Sequence, residues 1–183
     1  MNKLLIVLVL MLGFSCKQVK NNENNSEITD VALDKTTAAK EVDLPIYDFD
    51  GLEPMLHFKD EKTYVINFWA TWCAPCVKEL PHFERIHSEQ KDNNVEVILV
   101  SLDMPKMWTT HLVPFLKEKQ LKSKVVILDD TKQNTWIPKV DADWSGAIPA
   151  TLIYNAKKRI FFDEPFTYET LKKNLDEFVM EKG

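Results

Sequence analysis

The feature that most restricts the fold of this chain is an apolar run that leads directly into a pair of cysteines. Residues 63–69 (TYVINFW) are rich in β-branched and aromatic side chains, a pattern typical of a strand that is buried on both faces. Cys73 and Cys76 follow, and a helical pattern starts at Ala74. We therefore expect a strand that ends just before Cys73 and a helix that begins just after it.

This position gives the two cysteines different chemistry. Cys73 would lie beside the unpaired N–H groups and the positive end of the helix dipole. That environment favours the thiolate, which is the nucleophile in disulfide exchange. Cys76 would lie about one helical turn further on and be less exposed. The pattern predicts a dithiol–disulfide exchange site with Cys73 as the partly exposed nucleophile and Cys76 as the resolving thiol.

Size, charge and histidine spacing limit the number of domains and the kinds of ligand that we expect. The chain of 183 residues has room for one domain of ordinary size plus a tail, and 45% of its residues are hydrophobic. A net charge of −5 argues against a nucleic-acid partner. The histidines do not share a metal-ligand spacing with the cysteines, so we expect neither a metal nor another cofactor beyond the redox-active pair; they are His57, His82, His87 and His111.

The first residues predict export. Residues 4–12 form an apolar run that is too short to span a membrane but fits the core of a signal peptide. Gly13-Phe14-Ser15-Cys16 resembles a bacterial lipoprotein box, so we expect a signal segment over residues 1–16 and a lipid on Cys16. A plain signal peptide and an uncleaved anchor are the alternatives. All of them place the domain outside the cytoplasm, and lipidation of Cys16 also explains the odd number of cysteines.

A polar segment and one domain follow the signal segment. Residues 17–41 are rich in Asn, Lys, Glu, Asp and Thr, so we expect a flexible polar tether. Strand and helix patterns alternate over residues 42–183 and end in a hairpin and an amphipathic helix. They predict an α/β domain whose central mixed sheet has helices on both faces. We expect a short extended segment at 44–49, strands near 63–69, 95–102, 124–128, 151–154 and 159–162, and helices near 52–58, 74–90, 107–119 and 167–180, with Pro114 interrupting the third helix. The residues expected to face the core are Leu80, Phe83 and Ile86 in the second helix and Leu171, Leu175, Phe178 and Val179 in the last.

The cysteine motif also carries a resemblance. The segment NFWAT (67–71) followed by WCAPC (72–76) resembles the thioredoxin superfamily, and in particular its membrane-anchored thiol–disulfide reductases of the TlpA/ResA type. Pro81 matches the proline that bends the first helix in that family. The likeness covers about residues 42–183 and implies a thioredoxin-like fold.

The resemblance also implies a face that binds substrate. In that family a proline at the position of Pro149 has a cis peptide bond and lies against the active-site cysteines. Ile148 matches the apolar residue that contacts a bound peptide, and Trp72 matches an exposed substrate contact. With Ala74 and Pro75 between the cysteines, these residues form the expected substrate-binding set.

The other tryptophans are expected to have different positions. Trp144 leads into the Pro149 loop and is expected at the rim of a groove. Structural roles in the core are expected for Trp69, Trp108 and Trp136.

The proton acceptor for the resolving thiol is an open question at this stage. Thioredoxin carries a buried aspartate where this chain has Asn67, and an amide cannot accept a proton at working pH. Glu79 matches a glutamate that ResA-type reductases place near the site. If it is partly buried, its pKa would be raised and it could deprotonate Cys76. A solvated helix glutamate is the alternative.

We expect a thiol–disulfide oxidoreductase that acts as a reductant. Ala74 and Pro75 offer no donor to a thiolate, whereas a histidine there would favour an oxidant. No Thr-x-x-Cys arrangement follows a proline, which argues against peroxidase chemistry. The resemblance suggests exported proteins with disulfides as substrates, apocytochrome c among them, and a membrane protein as electron donor. A disulfide oxidase or isomerase, and a thioredoxin-fold binding module without turnover, remain alternatives.

Overall fold

The computed structural model describes residues 43–180. The predicted signal segment with Cys16 and the predicted tether over residues 17–41 lie outside the described residues. Within residues 43–180, none of the helices is long and apolar enough to cross a membrane.

Six strands form one mixed sheet at the centre of the described chain. They are β1 (Ile46–Tyr47), β2 (Thr63–Trp69), β3 (Val95–Ser101), β4 (Lys124–Leu128), β5 (Ala150–Tyr154) and β6 (Arg159–Phe162). Their spatial order is β1-β4-β3-β2-β5-β6. The first four pair in parallel, whereas β5 runs antiparallel to β2 and β6 antiparallel to β5. The carboxyl ends of β2 and β3 therefore lie at the same edge of the sheet.

Helices cover both faces of this sheet, as the sequence predicts. They are α1 (Phe49–Leu52, continued by a 3₁₀ turn over Glu53–Leu56), α2 (Ala74–Gln90), α3 (residues 105–119), α4 (Gln133–Val140) and α5 (Tyr168–Met180). One apolar core joins the sheet to α2, α3 and α5, and a second core joins the opposite face to α1 and α4. The predicted α/β architecture is confirmed.

The central strand β2 shows why its sequence is apolar throughout. Its side chains alternate between the two cores: Val65 and Trp69 pack on the side of α2, and Ile66 and Phe68 on the opposite side. All seven residues of β2 are buried. Helix α2 covers the first of these faces through Leu80, Phe83 and Ile86, as predicted.

Two predicted helices differ from the structure. The first begins at Phe49 rather than at residue 52, because Asp48 caps it and accepts a hydrogen bond from the N–H of Gly51 at 3.0 Å. Helix α3 continues through Pro114, where we predicted an interruption. A π-helical stretch over Trp108–Leu112 precedes this proline, which lies in the first turn of the α-helical segment that follows. Helix α3 therefore changes to a wider π-helical turn before Pro114 and does not end there.

Two further expectations were incomplete or wrong. Helix α4 was not predicted; it contains Pro138 and is only eight residues long. Val179 was expected to face inward but is 52% exposed. The buried stripe of α5 instead consists of Leu171, Leu175 and Phe178.

Candidate active site

Cys73 and Cys76 form a disulfide bond at the N-terminus of α2, with a sulfur–sulfur distance of 1.98 Å. Cys73 is the N-cap residue of this helix, and its Sγ accepts a hydrogen bond from the backbone N–H of Cys76 at 3.3 Å. Cys73 is 6% exposed and Cys76 is fully buried. In this disulfide form Cys73 is thus more buried than the partly exposed thiol that we predicted, although it is the more accessible of the two.

The position of Cys73 determines what its sulfur can do once the disulfide is reduced. The first turn of a helix leaves N–H groups without partners, and its dipole places positive charge there. One such N–H already points at the Sγ of Cys73. Both effects stabilise a thiolate relative to a thiol, so the geometry suits a nucleophilic sulfur.

The predicted substrate-contact residues lie around this sulfur. The Ile148–Pro149 peptide bond is cis, and the carbonyl oxygen of Ile148 lies 3.6 Å from the Sγ of Cys73. Pro149 is buried and Ile148 is partly buried. On the other side of the sulfur, Trp72 is 55% exposed, and Ala74 and Pro75 are exposed. The structure therefore brings apolar side chains from two distant segments to one sulfur.

Glu79 lies on α2 one turn after Cys76, and its side chain is buried, with 1% of the residue exposed. Its Oε1 accepts a hydrogen bond from Asn67 Nδ2 at 2.8 Å, and its Oε2 accepts one from the backbone N–H of Phe166 at 2.8 Å. Glu79 is therefore not the solvated helix glutamate that the sequence left open.

Burial raises the pKa of Glu79 to about 7, although the hydrogen bonds from the Phe166 N–H and the Asn67 amide act in the opposite direction. Burial dominates because it removes the water that would solvate a carboxylate. A carboxyl group with this pKa exchanges its proton near neutral pH. The amide of Asn67 also donates to Thr151 Oγ1 at 3.2 Å, while its buried Oδ1 has no hydrogen-bond partner in the structure.

The tryptophans have different positions. Trp69, Trp108 and Trp136 are buried, as a structural role requires. Trp144 was expected at the rim of a groove, but it is 4% exposed and its ring packs 5.0 Å from that of Phe68. Trp144 therefore belongs to the core on the face of α1 and α4 and not to the substrate face.

Sequence reasoning missed Asp103, a buried carboxylate at the same sheet edge as the cysteines. Its Oδ1 accepts a hydrogen bond from the hydroxyl of Thr71, two residues before Cys73. An acidic residue directly after a buried strand could have drawn attention to it, but its partner 32 positions away could not be read from the sequence. Across residues 43–180 no group of three or more His, Cys, Asp and Glu side chains is arranged to hold a metal ion.

Comparison with known proteins finds relatives that are named thiol-disulfide oxidoreductases. Thiol-disulfide oxidoreductase ResA of Halalkalibacterium halodurans is 30% identical over 114 residues, which are 62% of this chain and 60% of that protein. ResA of Oceanobacillus iheyensis is 31% identical over 105 residues, 56% of this chain and 51% of that protein. The chain thus spans between half and three fifths of the length of these two relatives.

Solved structures support the fold. StoA from Bacillus subtilis has a TM-score of 0.50 at 24% identity, covering 63% of this chain and 83% of that one. A DsbF homologue from Corynebacterium diphtheriae has a TM-score of 0.54 at 21% identity, covering 69% and 75%. Residues 26–162, more than half of the chain, match the AhpC/TSA family. The chain therefore belongs to the AhpC/TSA family and has a thioredoxin-like fold.

Proposed function

We propose that this protein is a thiol–disulfide oxidoreductase whose reactive pair is Cys73 and Cys76. The observation that carries the proposal is the disulfide at the N-terminus of α2, in which the Sγ of Cys73 accepts the N–H of Cys76. Relatives named thiol-disulfide oxidoreductases support it. The apolar residues around Cys73 give a substrate chain a surface on which to lie.

The exchange proceeds in two displacements. The Cys73 thiolate of the reduced protein attacks one sulfur of a substrate disulfide. The substrate S–S bond breaks, a mixed disulfide forms and one substrate thiolate leaves. The Cys76 thiolate then attacks the Sγ of Cys73, which releases the second substrate sulfur and forms the Cys73–Cys76 disulfide. Two electrons pass from the protein dithiol to the substrate.

Cys76 must lose its proton before the second displacement. It is fully buried, so water has little access to its sulfur. Glu79 lies one helical turn further along α2 and has a pKa of about 7 because it is buried. We propose that the Glu79 carboxylate accepts the proton of Cys76, since its pKa is matched to neutral pH.

We propose that electrons flow from this protein to its substrates. Neither Ala74 nor Pro75 offers a side-chain donor that would stabilise the reduced pair. Exported proteins with disulfides are the proposed substrates, apocytochrome c among them, and a membrane protein would regenerate the dithiol. A reduction potential near −270 mV is expected, whereas a value near −120 mV would identify an oxidant.

We also propose that the protein is held in the cell envelope, facing the periplasm, by a lipid on Cys16. The apolar run over residues 4–12 and the box that ends at Cys16 support this proposal. Mass spectrometry of the protein from bacterial membranes should find a diacylglyceryl thioether on Cys16. An unmodified Cys16 in the membrane fraction would contradict it.

Insulin reduction driven by dithiothreitol tests the exchange activity. The wild-type chain should accelerate insulin reduction, and Cys73→Ser should reduce the protein-dependent rate to background because the attacking sulfur is gone. A binding module without turnover would show no acceleration with either protein. His111→Gln, an exposed change on α3, is the control and should keep the wild-type rate.

Cys76→Ala provides a separate test, because it removes the second displacement and leaves Cys73 able to attack. The variant should accumulate mixed disulfides with exported proteins. Reduction should cleave these mixed disulfides, and a Cys73→Ser/Cys76→Ala control should not form them. Identification of the captured proteins gives the substrate class. Equal capture by the double variant would contradict the role of Cys73.

A further inference from the structure

Asp103 is a buried charge that the exchange steps do not use. It lies two residues after the end of β3 and is 1% exposed. Its Oδ1 accepts the hydroxyl of Thr71 at 2.5 Å, and its Oδ2 accepts the hydroxyl of Ser101 at 2.9 Å. The backbone N–H of Thr71 lies 3.2 Å from Oδ1 and 3.1 Å from Oδ2. Burying a carboxylate is costly unless donors surround it, so these bonds hold the two segments together.

Asp103 is itself fixed from the other side. Its backbone carbonyl oxygen accepts the indole N–H of Trp108 at 2.6 Å, and its backbone N–H donates to Ser101 Oγ at 3.1 Å. Trp108 belongs to α3 and is fully buried in the core between this helix and the sheet. The backbone of Asp103 is therefore tied to β3 and α3, and this anchors the carboxylate that holds Thr71.

Thr71 belongs to the turn that delivers the nucleophile. The N–H of Cys73 donates to the carbonyl oxygen of Ala70 at 3.1 Å, which closes the turn over residues 70–73. Thr71 is the second residue of this turn, and both its N–H and its hydroxyl are held by Asp103. The third residue, Trp72, is directed outward and is 55% exposed. Holding the second residue thus fixes how the turn presents Trp72 and Cys73.

We propose that Asp103 and Thr71 are positioning residues for the nucleophile of the exchange reaction. Through the turn over residues 70–73, they keep the Sγ of Cys73 within reach of the Cys76 N–H, at 3.3 Å. That N–H stabilises the thiolate, so a looser turn lowers the fraction of thiolate at a given pH. The inference rests on the proposed function, because it concerns the reactivity of the same sulfur.

Thr71→Val is the informative substitution, because it removes the Thr71 hydroxyl and keeps the shape of that side chain. Asp103 is unchanged in this variant. Thr71→Ser keeps a hydroxyl and is the conservative rescue. Tyr64→Phe is the matched control: it removes the Tyr64 hydroxyl, which donates to the Asp60 carboxylate at 2.7 Å, near the opposite end of β2. For each full-length protein, the rate of Cys73 alkylation by iodoacetamide is measured from pH 4 to pH 10 after reduction, together with insulin reduction and the melting temperature.

Thr71→Val should shift the alkylation profile to higher pH and slow insulin reduction by about tenfold, the equivalent of one hydrogen bond to a charged group. Thr71→Ser should stay within about twofold of wild type on both readouts. Tyr64→Phe should change only the melting temperature. The proposal is overturned if Thr71→Val lowers the melting temperature but leaves the alkylation profile at its wild-type position. If wild type itself neither reduces insulin nor shows a reactive thiolate, the proposed function fails instead.

Discussion

At the scale of single residues, the burial of Glu79 links its proposed proton-transfer role to a cost in stability. Its carboxyl group is buried and held by Asn67 and by the backbone of Phe166, which lies 87 positions away. Desolvation outweighs both hydrogen bonds and raises its pKa from the ordinary 4.5 to about 7. The same burial that suits this group to accept a proton near neutral pH makes its ionised form unfavourable in the folded protein.

The pH dependence of folding tests this account. Between pH 4.5 and about pH 7 the folded protein holds a proton on Glu79 that the unfolded chain has already released. Stability therefore falls as pH rises through this window, by about 3 kcal/mol in total. Glu79→Gln should remove this part of the dependence of stability on pH. Compared with wild type, the variant should therefore gain stability at pH 8 relative to its difference from wild type at pH 4.5. Urea unfolding of the oxidised proteins, in which the cysteines do not titrate, measures it.

Glu84→Gln is the matched control for this prediction. Glu84 lies on the same helix and also accepts backbone N–H groups, those of Lys122 and Ser123, at 2.7 and 3.0 Å. It is only partly buried. Because Glu79 is intact in this variant, the fall in stability between pH 4.5 and about pH 7 should persist. An unchanged slope in Glu79→Gln would contradict the burial argument.

At the scale of elements, the segment between α4 and β5 sets the position of Ile148 and Pro149 in the proposed substrate face. It leaves α4 after Val140, passes Trp144 in the core and brings the carbonyl oxygen of Ile148 to Cys73. Gly146 has φ +87°, and a Cβ at this residue would lie 2.8 Å from Cδ1 of Ile137. The segment thus depends on a backbone conformation that side chains disfavour, two residues before its functional contact.

Gly146→Ala should therefore destabilise the protein by about 1–2 kcal/mol, the cost of a left-handed conformation for a residue with a Cβ. Insulin reduction should also slow, because Ile148 and Pro149 would shift relative to Cys73. Gly51→Ala is the control: φ is not positive there, and the added Cβ would meet Tyr47 Cδ1 at 3.1 Å. We expect a change below about 1 kcal/mol for it. Equal losses in both variants would refute the argument from conformation.

At the scale of the whole molecule, the sequence predicted the features that depend on local residue patterns. The buried strand β2, the capping cysteine and the amphipathic stripe of Leu171 and Leu175 all follow from periodicity and end signals. Contacts between distant segments could not be predicted this way. The pairing of Asp103 with Thr71 and the burial of Trp144 depend on which segments the sheet brings together. Helix α4 was not predicted because its helical pattern is only eight residues long and contains Pro138.

The proposed direction of electron flow has a consequence for the stability of the whole domain. Folding, unfolding, oxidation and reduction form a thermodynamic cycle, so a pair that is more reducing in the folded than in the unfolded chain must stabilise the oxidised fold. Each 30 mV of difference corresponds to about 1.4 kcal/mol for this two-electron couple. An oxidant has the opposite sign, because its reduced form is the more stable one.

We therefore expect the oxidised protein to be more stable than the reduced protein by about 1–3 kcal/mol, if its potential lies tens of millivolts below that of the unfolded pair. Urea unfolding at pH 7, with and without dithiothreitol, measures the difference directly. A Cys73→Ser/Cys76→Ser variant should unfold identically in both conditions, which shows that the reductant acts only through this pair. A more stable reduced form would reverse the direction of electron flow while leaving the two displacements at Cys73 intact, since either direction uses the same mixed disulfide.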